Sequence, residues 1–325
     1  MKKAEYKKFI YAMVIAACVW VVWFSLLGFD NALGYIADNW PITLTMVFGS
    51  IIAGATSEGG GAIAFPIFTK VLHIDPVDAK LFSLSIQSIG MTAASLLIVL
   101  MKVKVDWFVI RWASIGGAAG MCFGSYFIAN SLPADVIKII FTVLATSFAI
   151  VLFISGKKQK DRHNGIQYFS YNEKLIFLSV GIVGGIVSSL IGTGIDIITF
   201  SVMVLLFRVC EKIATPTTVI LMAANSIVGV LLHGVVIDDI NDVVFGYWMA
   251  AIPVVVVGAP LGAILCSWVS RKRMVEVLIT LISIEFISSL LIIQLREEII
   301  LYGLLTLVIS LSMFLKLNSV QKYVK

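Results

Sequence analysis

Charge is scarce in this sequence. Of 325 residues, 24 are lysine or arginine and 19 are aspartate or glutamate, 13% in all, where a soluble domain carries about a quarter. With 60% apolar residues and a mean hydropathy of +1.03, the chain has more apolar surface than a water-facing fold can hide. Histidine occurs three times and cysteine four. Cys18, Cys122, Cys210 and Cys266 are far apart and form no C-x-x-C. A disulfide framework, a metal site, a redox relay and a bound cofactor are therefore not expected. The net charge of +5 lies in short clusters between apolar stretches, where the positive-inside rule puts it. A nucleic-acid partner is not expected either.

Long apolar stretches are what the chain has instead. A spanning helix takes roughly 20 mostly apolar residues, and full spans are expected over 9–29, 77–101, 107–129, 134–155, 213–236, 244–270, 274–295 and 299–315. The first follows Lys2, Lys3, Lys7 and Lys8 and is too long for a signal-peptide core, so it reads as a retained span. Two further stretches, 42–72 and 175–207, are interrupted by Glu58, Gly59, Gly60 and Gly61 and by Gly192, Thr193 and Gly194. Each half is read as about a dozen residues, a length that suits a re-entrant segment rather than a crossing. Broken backbone at membrane depth survives only inside protein or beside a cavity.

The charges support one orientation for this layout, with Lys70, Lys80 and Arg296 as the main exceptions, each close to an acidic neighbour. With the N-terminus cytoplasmic and both broken stretches turning back, Lys102, Lys104, Lys157, Lys158, Lys160, Arg162, Arg208, Lys212, Arg271, Lys272, Arg273, Lys316, Lys322 and Lys325 fall inside. Asp30, Asp38, Asp135, Asp238, Asp239 and Asp242 fall outside. One hairpin then enters from each side, as inverted repeats require. The fold class expected is an all-α polytopic membrane protein of two inverted repeats. Each is a re-entrant broken-helix hairpin plus three transmembrane helices, with extra first and last spans. By residue, 1–40 hold a cytoplasmic tail and the first span, 41–155 the first repeat and 156–173 a cytoplasmic linker. Residues 174–295 are the second repeat, and 296–325 the last span and a cytoplasmic tail.

Gly-interrupted segments at matching positions of two repeats point to a transporter's substrate site. A helix that begins inside the protein presents free N–H groups and the positive end of its dipole. Gly59, Gly60 and Gly61, with Gly192, Thr193 and Gly194, are therefore expected to meet near the midplane and cradle a small anion. Ser83 and Gln87 share a helix face after the first break, and Thr218 and Asn225 follow the second. Their hydroxyls and amides offer hydrogen bonds without a competing charge, although bonding between helices uses the same residue types. Glu58 and Asp196 sit at the breaks. Either they couple transport to protons, Glu58 also touching substrate, or they cap the hairpins' N–H groups. Glu285 is a third acid at membrane depth, and His233 reads as a packed or interfacial residue. Gly116, Gly117, Gly120 and Gly124 read as close-packing positions.

The run from Gly54 through Glu58, Gly59, Gly60 and Gly61 to Pro66, with Ala79, Ser83, Val105, Asp106 and Trp107, resembles the TauE/SafE sulfite-exporter family. Gly192, Thr193, Gly194, Ala214, Gly258 and Gly262 are similar to that family's second repeat, and the resemblance covers residues 41–295. It implies a non-enzymatic secondary transporter of the cell membrane that exports sulfite or an organosulfonate such as sulfoacetate. The partners implied are the anion, the bilayer and, as open alternatives, a coupling proton and a second copy of the chain. Two departures stand out. Glu58 takes the place of a small residue, and the second glycine run is short and lacks its following proline. An anion channel, or an uptake carrier for another anion, shares these features. An intramembrane enzyme is a poor fit, because no partner acid for Asp196 is evident.

Overall fold

The computed structural model describes residues 3–56, 67–129, 132–156, 163–166, 170–292 and 296–320. Among them the chain is helical: α1 (Lys3–Leu27), α2 (Phe29–Asp38), α3 (Trp40–Ala55), α4 (Pro76–Leu100), α5 (Trp107–Phe123), α6 (Ala134–Gly156), α7 (Tyr171–Ile191), α8 (Ile195–Ser201), α9 (Glu211–Leu231), α10 (Asp242–Trp268), α11 (Arg271–Ile292) and α12 (Glu297–Val320). Wider π-helical turns extend α5 (Gly124–Ile128), α8 (Val202–Leu206) and α9 (Leu232–Ile237).

Seven helices, α1, α4, α6, α7, α9, α10 and α12, are long and apolar enough to cross a membrane. The bent pair α2 and α3, which meet at 85°, makes an eighth if counted as one span. Two expected full spans are not among the seven. α5 keeps regular α geometry for 17 residues before its π-turn, and α11 opens on Arg271, Lys272 and Arg273. Conversely α7, expected as a short hairpin arm, has 21 residues. At 1.5 Å per residue that is about 31 Å, the thickness of the hydrocarbon layer.

Side-chain contacts give each helix its direction. α1 lies antiparallel to α10: the Trp20 indole donates to the Pro253 carbonyl at 3.0 Å and that of Trp23 to Met249 at 3.2 Å. Met249 is four residues before Pro253, so its carbonyl lacks the helical N–H that a proline removes. The Trp23 indole fills that place.

α3 runs parallel to α10, and α7 parallel to α5, with their backbones in contact. A Cβ on Gly54 would come 1.9 Å from the Ala259 carbonyl, and one on Gly262 2.0 Å from that of Ile51. In the other pair, Gly116 and Gly120 would each meet a carbonyl of α7 at 2.1 Å, and Gly181 and Gly185 one of α5 at 2.2 Å. Between lipid-facing helices such close approach substitutes for a hydrophobic driving force.

The bundle therefore has two unlike ends. At the acidic end the Asn241 amide donates to Asp78 at 2.9 Å, tying the starts of α4 and α10. At the basic end Lys8 bonds Ser267 at 3.4 Å, and the Thr217 hydroxyl receives the Asp106 N–H at 3.0 Å. α3 starts at the acidic end, and the chain returns there through Phe68, whose ring packs 4.8 Å from that of Phe82 on α4. α7 starts at the basic end and α8 returns to it, bringing Phe207 to stack on Phe177 at 5.3 Å. α12 runs parallel to α6, with Ser310 bonded to Ser147 at 2.7 Å and Phe314 against Phe148. Both described termini consequently lie at the basic end.

Candidate functional site

The second break begins where α7 stops. Gly192 adopts the left-handed conformation, φ 87°, as its cap, and Gly194 has φ 135°. Both are conformations that L side chains resist. The Gly192 carbonyl is held from the other half of the chain: Gln87 Nε2 donates to it at 2.8 Å and the Ser83 hydroxyl at 3.3 Å. Gln87 Nε2 also bonds the Ser83 hydroxyl at 2.9 Å. Ser83, Gln87 and Gly192 thus form one cluster across 105 residues of sequence.

Beyond the cap, α8 begins on the Asp196 carboxylate. Its Oδ1 accepts the Gly194 and Ile197 N–H groups at 3.0 Å each, and the Thr193 hydroxyl approaches both oxygens at 3.3 Å. The Ser188 hydroxyl takes the Ile195 N–H at 3.1 Å. A carboxylate at a helix start is favoured by the dipole and by the N–H groups it satisfies. The expected free cradle is therefore filled: Asp196, 1% exposed, stands where an anion was expected to stand.

Asn225 lies beside this break. A Cβ on Gly117 would come 2.9 Å from its Oδ1 and 2.5 Å from Ile195 at the head of α8. Asn225 is 2% exposed, and among the described residues neither its Oδ1 nor its Nδ2 has a hydrogen-bond partner. Gln87 Oε1 and the hydroxyls of Ser50, Ser85 and Thr199 are likewise unmatched, and Gln87 and Ser50 line one small void with Gly90. Buried polar atoms left without partners cost free energy. Thr218, by contrast, donates to the Thr215 carbonyl of its own helix at 3.0 Å.

Glu58, Gly59, Gly60 and Gly61 lie outside the described residues. The last described residue before that break, Thr56, opens onto a cavity with Glu211, Thr215 and Cys266. A second cavity shares Thr215 and Cys266 and reaches Gly54, Val103 and Lys212. Together they form a vestibule at the basic end. Nothing in the sequence marked Thr215, Cys266 or Ser50, because each is unremarkable until the fold brings α3, α9 and α10 together.

The end of α3 reaches the first turns of α9, and the end of α7 packs on Lys80 and Ser83 in the first turns of α4. Each long arm crosses most of the bundle, so the described arm ends lie toward opposite ends.

The sulfite exporter TauE/SafE family model matches residues 42–288. No curated protein and no solved structure matches the chain. The family match spans both hairpins and the helices that follow each, so the chain belongs to the sulfite exporter TauE/SafE family, a family of membrane transporters.

Proposed function

We propose that the chain is a secondary transporter that exports sulfite or a small organosulfonate such as sulfoacetate across the cell membrane. The family match carries this reading. Reciprocal packing supports an inverted repeat as its frame: α3 of the first half packs on α10 of the second, α7 of the second packs on α5 of the first, and α4 packs on α9. The basic end faces the cytoplasm under the positive-inside rule, so the vestibule with Lys212 and Thr215 is the inner access. Substrate passes from there toward Asn225, beside the second break, and alternating access exposes that residue to either side.

In this frame Asp196 and the substrate anion compete for the same N–H groups. A proton on Asp196 would remove its claim on them, so the residue suits coupling of anion and proton movement.

The test is a thermal-shift screen of the purified protein against sulfite, sulfoacetate, thiosulfate, sulfate and carboxylates. A ligand that binds only the native state stabilises it in proportion to the logarithm of concentration over Kd. Stabilisation by sulfite or a sulfonate, and not by carboxylates, is expected; stabilisation by carboxylates alone would overturn the substrate assignment. Asn225→Leu sharpens the test. Removing two unmatched polar atoms should raise the stability of the ligand-free protein by about 1–3 kcal/mol, while abolishing the shift with sulfite. A variant that is destabilised yet still binds sulfite would return Asn225 to a packing role.

A further inference from the structure

Three cations stand where the positive-inside rule expects none, and the fold treats them differently. Arg296 is exposed, and Lys70 is matched by Glu285 at 3.2 Å. Lys80, in the second turn of α4, is 6% exposed, yet among the described residues its ammonium makes no hydrogen bond and no ion pair. Lysine is almost never buried unless it is paired, and an ionisable group inside a membrane bundle is a functional candidate.

The groups that face this lysine belong to the acidic end. Asp239 faces it from the segment after α9, and His233 from the π-turn that precedes that segment. The Asp239 side chain is 36% exposed, and its two oxygens lie 2.9 and 3.0 Å from His233 Nδ1. On the other side of the ring, Nε2 lies 3.1 Å from the Ser125 hydroxyl. An anchored ring therefore holds the carboxylate, which faces Lys80 without bonding it.

Lys80 also adjoins the second break. At spacings of three and four residues, Lys80, Ser83 and Gln87 share one face of α4. Gln87 and Ser83 bond the Gly192 carbonyl, and a Cβ on Gly192 would come 2.8 Å from the Lys80 carbonyl. The face that clasps the break thus ends, toward the acidic end, on a buried cation. An anion leaving the break on that side meets Asp78, Asp239 and Asp242, all of which repel it.

We propose that Lys80 is an anion-binding residue of the outward step. When the acidic end opens, its ammonium donates to an oxygen of sulfite or a sulfonate as the anion leaves the second break. A charge-assisted bond of this kind is stronger than one between neutral groups. Asp239 is the competing anion: it faces the lysine while the end is closed and draws it back once the substrate has gone. The proposal rests on the transporter reading above and adds to it a side chain that bonds the substrate from the outer side.

The experiment uses the full-length protein in right-side-out and inside-out membrane vesicles, with labelled sulfite as the probe. KM and maximal rate are measured from each side at equal protein. Lys80→Met keeps the length of the side chain and removes its charge. It is expected to raise the KM for external sulfite about tenfold or more, the loss of a hydrogen bond to a charged group, and to leave the KM from the inner side within about twofold of the parent. Asp239→Asn keeps an oxygen for the His233 ring and removes the competing charge, so it is expected to lower the external KM by about threefold. A parent-like external KM in Lys80→Met overturns the proposal. So does an equal rise of KM from both sides, or a rise of external KM in Asp239→Asn, since an ion pair that only braces the fold gives those results. If Lys80→Met carries no flux, the direction of the change in Asp239→Asn decides. Absence of saturable sulfite flux in the unmodified protein removes the transporter reading, and the proposal with it.

Discussion

Gly192→Ala is expected to lower sulfite transport more than tenfold without preventing membrane insertion. Two costs add at this position. A non-glycine residue at φ 87° pays about 1–2 kcal/mol for the left-handed conformation. Its Cβ would also stand 2.6 Å from the Ser83 Cβ and 2.8 Å from the Lys80 carbonyl, and forced overlap of this kind costs about 1–3 kcal/mol. The sum exceeds the roughly 1.4 kcal/mol that makes a tenfold change in a population. Relief requires the break to move away from α4, which separates the Gly192 carbonyl from Gln87 and Ser83. Gly34→Ala is the matching control, since that helical glycine has open space around it and should transport as the parent does. Normal flux through Gly192→Ala, measured at equal protein in the membrane, would show that the contact between α4 and the break is dispensable.

The second large effect is on stability. Lys70, on the return arm of the first hairpin, is buried at 3% side-chain exposure and pairs with Glu285 of α11 at 3.2 Å. Around them the Thr142 hydroxyl donates to Glu285 at 2.8 Å and the Ser289 hydroxyl accepts from Lys70 at 2.5 Å. Breaking one side of a buried pair leaves an uncompensated charge, at a cost of about 3–5 kcal/mol. Glu285→Ala should therefore lose about that much in detergent-solubilised unfolding. The double variant Lys70→Met with Glu285→Leu should recover most of it, because replacing a buried pair by apolar residues is often neutral. A Glu285→Ala protein within about 1 kcal/mol of the parent would mean that the pair does not anchor the arm, since surface ion pairs lose no more than this.

The sequence made the class and most of the helices legible, because apolar runs of membrane length are stable in few settings besides a lipid bilayer. It showed less of how those helices meet. α2 is hidden by Asp30 and Asp38, charges that fall outside the expected spans but belong to a helix set at 85° to α3. The full length of α7 is masked because Gly181, Gly184 and Gly185 weaken an apolar arm by propensity, yet each is a place where another element comes close. Gln87 and Asn225 stand out as amides in apolar helices, but only the fold shows that one holds the Gly192 carbonyl while the other has no partner among the described residues. The sequence leaves Asp196 between two roles, and its geometry is that of a cap occupying the N–H groups expected to hold an anion. The pairs Lys70 with Glu285 and Ser125 with His233 join residues 215 and 108 positions apart. No local pattern in the sequence records either.

The transporter reading is tested most directly by sulfite counterflow in proteoliposomes holding the purified protein. Uptake of labelled external sulfite should saturate with concentration and should accelerate when unlabelled sulfite is trapped inside, because a carrier returns faster loaded than empty. Flux that rises linearly with concentration and ignores the trapped sulfite would indicate a channel, and flux no greater than in protein-free vesicles would contradict sulfite transport by this chain.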